Sequence, residues 1–210
     1  MRLFLASASV RGTVEALTEL VGAEARVAVS ANAFDMEPAA ERRDWLDNEM
    51  RALASAGLSP IELDLRGYYG DPAALAAVVA AVDMVWGTGG NVFVLRKALK
   101  LSGLDELLRV RLREDSLAYG GCSAGACVCG PTLRGIDVID NARAAGEPMF
   151  DGLGLVDYSI APHAGACGEA GEAIARLVTY FQKAKMPYRA LRDGQAIVVH
   201  GERATTIEFY

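Results

Sequence analysis

The chain has 210 residues and a formal net charge of −6 at pH 7; 52% of its residues are hydrophobic and 23% are charged. These values are ordinary for a soluble globular protein, and we treat residues 1–210 as a single domain. The acidic balance and the lack of any Lys- or Arg-rich run exclude a general binder of nucleic acid or anionic membranes, so we expect neither partner.

The first apolar run, Leu3 to Ser7, is too short for a signal-peptide core or a membrane span, so we expect a cytoplasmic protein. The cysteines are Cys122, Cys127, Cys129 and Cys167. Their spacing fits neither a zinc ribbon nor a disulfide framework, which favours reduced structural thiols. We therefore predict no metal site.

Short apolar runs alternate with amphipathic segments along the whole chain, which is typical of an α/β protein. In the first half the pattern predicts strands at 2–7, 26–30, 61–65 and 84–86, and helices at 14–21, 38–56 and 72–82. In the second half it predicts helices at 92–101, 104–112 and 168–183, strands at 117–120, 156–161, 188–191, 196–199 and 205–209, and a loop region at 131–150.

These elements predict an α/β fold, a single doubly wound domain with a mostly parallel sheet and helices on both faces. The last strands form an antiparallel edge at the C-terminus. Asp193-Gly194 is interpreted as the hairpin turn that joins the strands at 188–191 and 196–199.

The segment from Gly121 to Gly125 reads G-x-S-x-G, directly after an apolar strand and before a run of small residues. In this context the motif predicts a nucleophile elbow, with Ser123 on a tight strand-to-helix turn. The helix N-terminus behind Ser123 offers N–H groups to a developing oxyanion, and the N–H of Ala124 is one expected donor. Cys122 precedes the tip of the turn and is interpreted as a small apolar filler.

The general base can be chosen by elimination, because the chain has only two histidines, His163 and His200. His163 ends an apolar strand that we expect to lie beside the elbow strand, where active sites of open α/β sheets form. His200 ends a strand of the C-terminal edge and is expected at the surface. A third group should orient the imidazole, and the acidic residues between serine and histidine leave five candidates open. These are Asp137, Asp140, Glu147, Asp151 and Asp157.

Three separated motifs resemble the S51 serine peptidases: Tyr119 to Ala126, Gly89-Gly90-Asn91 upstream, and Ala161-Pro162-His163 downstream. This family includes dipeptidase E and, more distantly, cyanophycinase. It has the fold of class I glutamine amidotransferases with serine in place of their elbow cysteine. The resemblance covers nearly the whole chain, as far as the Arg192-Asp193-Gly194 turn.

The resemblance implies that Ser123 is the nucleophile, that His163 is the base and that the N–H of Gly90 is a second oxyanion donor. It places the third catalytic residue on the loop after the elbow helix, where Asp137 is nearest to the expected position. The match needs a gap of one residue, so Asp140 stays open. Asn91 and Arg176 are the candidate substrate-binding residues.

The implied function is hydrolysis of short peptides through a Ser-His-Asp triad and an acyl-enzyme, without a cofactor, by a monomer or homodimer. Two alternatives stay open. One is a catalytically idle amidotransferase-like binding or sensor protein. The other is a small esterase, although the histidine of an α/β-hydrolase usually lies nearer the C-terminus.

Aspartyl dipeptidases of this family place an arginine near the start of the helix after the histidine, where it pairs with the substrate's side-chain carboxylate. This chain has no basic residue from Ala164 to Ala175, and Arg176 comes about a turn late. The favoured interpretation puts Arg176 on the solvent face of an amphipathic helix. We therefore expect a weak preference, or none, for aspartyl dipeptides, with neutral or basic N-terminal residues at least as good.

Overall fold

The structure, a computed structural model, describes residues 1–10 and 14–209. The helices are α1 Val14–Val21, α2 Ala39–Ser55, α3 Pro72–Val79, α4 Val92–Ser102, α5 Leu104–Arg113, α6 Ala124–Cys127 and α7 Gly168–Lys183. The strands are β1 Arg2–Ala6, β2 Arg26–Ser30, β3 Ser59–Glu62, β4 Met84–Gly87, β5 Ala118–Cys122, β6 Ser159–Ala161, β7 Tyr188–Ala190, β8 Gln195–His200 and β9 Arg203–Glu208.

Seven strands form one sheet in the order β3-β2-β4-β5-β1-β8-β9. The five strands from β3 to β1 are parallel, whereas β8 and β9 pair antiparallel. The prediction of a mostly parallel sheet with a C-terminal antiparallel edge is thus confirmed. The described helices include none that is both long and apolar enough to cross a membrane.

Helices cover both faces of the sheet because its central strands are apolar on both sides. Along β1, Leu3 and Leu5 join one buried cluster, and Phe4 and Ala6 join another. The first cluster packs against α3 to α7 and the second against α1 and α2. This two-sided burial is what a doubly wound sheet requires, because successive side chains of a strand point to opposite faces.

The prediction for the end of the chain was wrong in its strand pairing. β6 and β7 form a separate two-stranded parallel sheet, so β6 does not lie beside the elbow strand β5, and β7 does not form a hairpin with β8. Instead β8 pairs with β1 and β9. The Asp193-Gly194 turn therefore connects two different sheets.

The predicted third strand is also displaced, since β3 ends at Glu62 and the chain turns at 65–68 into a 3₁₀ helix. Backbone N–H groups there donate to side-chain oxygens and not to a neighbouring strand. Leu65 N–H donates to Asn32 Oδ1 at 3.0 Å, and Arg66 N–H donates to Asp64 Oδ1 at 3.1 Å. A strand cannot continue where its N–H groups turn inward to side chains.

The loop region at 131–150 contains a 3₁₀ turn, Ile136–Val138, and is fixed at its far end by the buried side chain of Arg96. The Arg96 guanidinium donates to Asp105 Oδ2 at 3.0 Å and to Asp151 Oδ2 at 2.6 Å. A buried guanidinium needs such partners, because an unpaired charge in the core is costly. The pair holds the end of the loop against α4.

Candidate active site

Ser123 sits between β5 and α6 in a backbone conformation that L-residues rarely adopt, with φ 49° and ψ −110°. Its N–H donates to the Ala6 carbonyl at 3.1 Å, and its own carbonyl accepts the Cys127 N–H at 2.8 Å. Strain of this kind costs about 1–3 kcal/mol and persists only where surrounding contacts enforce it. The turn presents the Ser123 side chain beyond the carboxyl end of β5, as predicted for a nucleophile elbow.

The tight approach of α6 to β4 enforces this turn. A Cβ atom built on Gly125 would lie 2.1 Å from the carbonyl oxygen of Gly87, so only glycine fits there. The Tyr119 hydroxyl donates to the Gly125 carbonyl at 2.9 Å from within the core. The small residues after Ser123 thus allow the helix N-terminus to contact the neighbouring strand directly.

His163 follows β6 and faces the serine. Its Nε2 lies 3.1 Å from Ser123 Oγ, and its Nδ1 lies 2.7 Å from Asp193 Oδ1. With the proton on Nδ1, the imidazole donates to the carboxylate and leaves Nε2 free to accept the serine proton. The three side chains therefore form a continuous hydrogen-bonded series from nucleophile to carboxylate.

The carboxylate in this series comes from a position that the sequence analysis assigned to a turn. Asp193 lies in the connection from β7 to β8. The Ala164 N–H donates to the Leu191 carbonyl at 2.8 Å, and the Leu191 N–H donates to the Ala161 carbonyl at 2.9 Å. These bonds hold the connection against the segment that carries His163, which brings the two side chains into contact.

Ser7, fully buried at the end of β1, joins the same group and was missed by the sequence analysis. Its Oγ accepts the His163 backbone N–H at 2.7 Å and lies 2.9 Å from Asp193 Oδ1 and 3.1 Å from the Leu191 carbonyl. The hydroxyl donates to one of these two acceptors at a time. No sequence motif marks Ser7, and only its position at the carboxyl end of a central strand could have drawn attention to it.

The acids favoured from sequence lie elsewhere. Asp137 Oδ1 accepts the N–H of Gly135 at 2.9 Å within the 3₁₀ turn, and Asp140 Oδ2 accepts the N–H of Val92 at 2.8 Å. Burial raises the pKa of Asp140 above its ordinary value, and the Val92 hydrogen bond offsets part of that rise. The structure does not bring either carboxylate to His163.

The two expected oxyanion donors flank the serine. Gly90 has φ 117°, and a Cβ atom on it would lie 2.8 Å from the Cβ of Ala33. The adjacent Asn91 N–H donates to the Ala33 carbonyl at 3.0 Å, which fixes the turn. Within the described part of the chain, the N–H groups of Gly90 and Ala124 have no hydrogen-bond acceptor, as an oxyanion site requires.

The structure separates the predicted substrate-binding residues from the pocket. The Asn91 side chain caps α4, since its Oδ1 accepts the Phe93 and Val94 N–H groups at 2.9 and 3.1 Å. Arg176 is exposed on α7, and His200 is exposed at the end of β8. None of these side chains lines the cavity beside Ser123.

Cys122 points away from the site, into the buried cluster on the opposite face of the sheet from Ala124. Its Sγ lies 3.7 Å from Glu49 Oε1, and burial raises the pKa of the thiol well above its ordinary value. A thiol held protonated in the core is a poor nucleophile. Among the described residues, no group of three or more His, Cys, Asp or Glu side chains is arranged to hold a metal ion.

A cavity of about 490 Å³ opens beside the serine. It is lined by Gly90, Ala124 and the side chains of Ser123, His163 and Asp193, together with residues of α7 and of the loop at 131–150. Such a volume admits a small ligand. The arrangement can therefore place a carbonyl group between a serine nucleophile and two backbone donors.

Comparisons with known proteins find similarity to peptidases. Residues 10–207 match the family model described as Peptidase family S51. The chain is 34% identical to Peptidase E of Streptomyces coelicolor over 160 residues, which are 73% of this chain and 61% of that protein. It is 30% identical over 152 residues to a probable alpha-aspartyl dipeptidase of Drosophila melanogaster, covering 70% of this chain and 62% of that protein.

A crystal structure of a candidate Peptidase E protein from Listeria monocytogenes superimposes with a TM-score of 0.84 at 27% identity. The superposition covers 100% of this chain and 98% of that chain. The chain thus spans about three fifths of the two curated relatives named above, and nearly all of the solved one.

Proposed function

Because the chain belongs to peptidase family S51, we propose that it is a serine peptidase that hydrolyses short peptides through Ser123, His163 and Asp193. The observation that carries this proposal is the continuous contact from Ser123 Oγ to His163 Nε2 and from His163 Nδ1 to Asp193 Oδ1. Asp193 takes the role that the sequence analysis assigned to Asp137.

In the proposed reaction, Ser123 Oγ attacks the peptide carbonyl while His163 Nε2 takes the hydroxyl proton. The imidazolium that forms is stabilised by the Asp193 carboxylate. The carbonyl oxygen gains negative charge and accepts hydrogen bonds from the N–H groups of Gly90 and Ala124, at the N-terminus of α6. His163 then returns the proton to the leaving amine, which leaves an acyl group on Ser123.

Water then hydrolyses the acyl-enzyme, with His163 again acting first as base and then as acid. His163 takes a proton from a water molecule, the hydroxide attacks the acyl carbonyl, and the serine departs with the proton from His163. Every proton moves through one imidazole, so no metal or organic cofactor enters the scheme.

A catalytically idle binding protein is the competing function, and the contact between two strained residues, Ser123 and His163, disfavours it. Ser123 and His163 both have positive φ, 49° and 56°. Each conformation costs about 1–3 kcal/mol, and such strain concentrates at active sites and ligand clamps. The strain is compatible with either function, but the contact between Ser123 Oγ and His163 Nε2 gives the serine a base, and a protein that only binds a ligand has no need of one.

Incubation of the pure protein with a panel of dipeptides, read by mass, tests the proposal. We expect release of free amino acids by the native protein and none by Ser123→Ala, with unchanged circular dichroism for the variant. Hydrolysis by Ser123→Ala at the native rate would contradict the proposal, and so would a native protein that is inactive on the entire panel.

A further inference from the structure

The cavity beside Ser123 has an apolar wall on α7. Ala170, Ala173 and Ile174 line it from the helix, and Ile136 and Ile139 line it from the loop at 131–150. Alanine at two of the helix positions leaves room for a side chain of the substrate. The wall offers dispersion contacts and burial of apolar surface and no hydrogen-bonding side chain.

The charge in the cavity is negative. Apart from His163 and Asp193, the titratable side chains among the described lining residues are the Asp140 carboxylate and the Cys127 thiol, whose pKa is raised by burial, and none of those residues is Lys or Arg. The Asp140 carboxylate is largely buried and accepts a hydrogen bond from the Val92 N–H. Arg176 is the first basic residue along α7, but it is exposed and lies outside the lining.

We propose that this cavity rejects an acidic side chain and favours an apolar one on the residue that donates the scissile carbonyl, and that Asp140 and Ala173 set this selectivity. The inference rests on the proposed function and names its substrate class: short peptides with an N-terminal residue such as leucine. An aspartyl side chain entering the same space would lose its hydration, find no Lys or Arg among the described lining residues and meet the Asp140 carboxylate.

Rates for three substrates test the selectivity in the native protein. Leu-Leu, Asn-Leu and Asp-Leu have first residues of similar size, and Asn and Asp differ only in charge. We expect kcat/KM to be lower for Asn-Leu than for Leu-Leu. We expect kcat/KM for Asp-Leu to be at least tenfold lower than that for Asn-Leu. A kcat/KM for Asp-Leu equal to or above that for Asn-Leu would overturn the inference while leaving the proposed function intact. Failure to hydrolyse all three while other dipeptides of the panel are hydrolysed would also overturn the inference alone, and failure on the entire panel would reject the proposed function with it.

The substitution Asp140→Asn tests the origin of the charge selectivity. We expect the ratio of kcat/KM for Asp-Leu to that for Asn-Leu to rise at least fivefold. The ratio cancels any effect of the substitution that is common to all substrates, including a general loss of activity. Glu172→Gln is the matched control, because it removes a carboxylate from the exposed face of α7, outside the cavity. An Asp140→Asn ratio no different from that of Glu172→Gln would overturn the role of Asp140.

The substitution Ala173→Leu tests whether α7 contacts the substrate side chain. The added carbons would occupy the space assigned to that side chain, so the ratio of kcat/KM for Leu-Leu to that for Ala-Leu should fall about tenfold. Ala175→Leu makes the same change at an exposed position of the helix outside the cavity, and should leave the ratio unchanged. Equal ratios in the two variants would show that the substrate side chain binds elsewhere.

Discussion

The contact between His163 and Asp193 is the reason for proposing Asp193 as the carboxylate that orients the imidazole. Asp193 Oδ1 is 2.7 Å from Nδ1, whereas Asp137 accepts a backbone N–H in its own turn. We expect Asp193→Asn to lower kcat for dipeptide hydrolysis by about 10²- to 10⁴-fold, because an amide no longer stabilises the imidazolium. Asp137→Asn should retain kcat within a few-fold.

Steady-state kinetics measure kcat for the two asparagine variants. Circular dichroism is used to show that both are folded. The reverse order, with Asp137→Asn impaired and Asp193→Asn near normal, would restore the assignment made from sequence.

Ser7 is a positioning residue in this account, since it holds both His163 and Asp193 and does not line the substrate cavity. Ser7→Ala leaves a partly buried backbone N–H without its acceptor, which costs about 1–3 kcal/mol. We expect kcat to fall about tenfold with KM nearly unchanged, and Ser7→Thr, which keeps a hydroxyl, to retain more activity. Loss of stability without any change in kcat would mean that Ser7 has a purely structural role.

At the scale of elements, the positions of the strands and helices could be predicted from the sequence better than the pairing of the strands. The elbow, β5 and α7 could be recognised because the apolar period and the G-x-S-x-G turn are local patterns. The pairing of β7 with β6 could not, because two short apolar runs joined by Asp-Gly are typical of a hairpin. The same error hid Asp193, since a hairpin turn at the sheet edge would lie away from His163.

The close packing of α6 on β4 can be tested as the cause of the tight turn at Ser123. Gly125→Ala would place a methyl group 2.1 Å from the Gly87 carbonyl oxygen, so we expect the free energy of unfolding to fall by about 1–3 kcal/mol or more. Gly67→Ala is the control, because a Cβ atom there meets nothing within 4 Å. Urea denaturation of both variants measures the difference, and equal midpoints would mean that the close approach does not constrain the elbow.

At the scale of the whole molecule, a cluster of ion-paired side chains links stability to pH; its members are Asp35, Arg42, Asp64 and Arg66. Burial raises the pKa of Asp64, but hydrogen bonds from Arg66 and Asn32 outweigh that effect and lower it from 3.8 to about 2. A carboxyl whose folded pKa is depressed stabilises the fold above its unfolded pKa, and this stabilisation is lost as the pH falls from roughly 4 to 2.

We therefore expect Asp64→Asn to lower the free energy of unfolding at neutral pH by about 1 kcal/mol or less, since the side chain is partly exposed. The difference in free energy of unfolding between the variant and the native protein should shrink as the pH approaches the folded pKa of Asp64. Urea unfolding across this acidic range measures it, with Asp44→Asn, an exposed carboxylate on α2, as the control. A difference in free energy of unfolding that does not change with pH would contradict the stabilising role of the Asp64 carboxylate.

Covalent labelling of the native protein with a serine-directed phosphonate tests the central claim, that Ser123 is the nucleophile of a peptidase. We predict one adduct per chain, located on Ser123 by peptide mass mapping, and a loss of dipeptide hydrolysis in step with its formation. The His163→Ala protein should label far more slowly, because its serine lacks the base that takes the proton. Complete loss of hydrolysis with the label on another residue, or full labelling of Ser123 with hydrolysis unchanged, would contradict the claim.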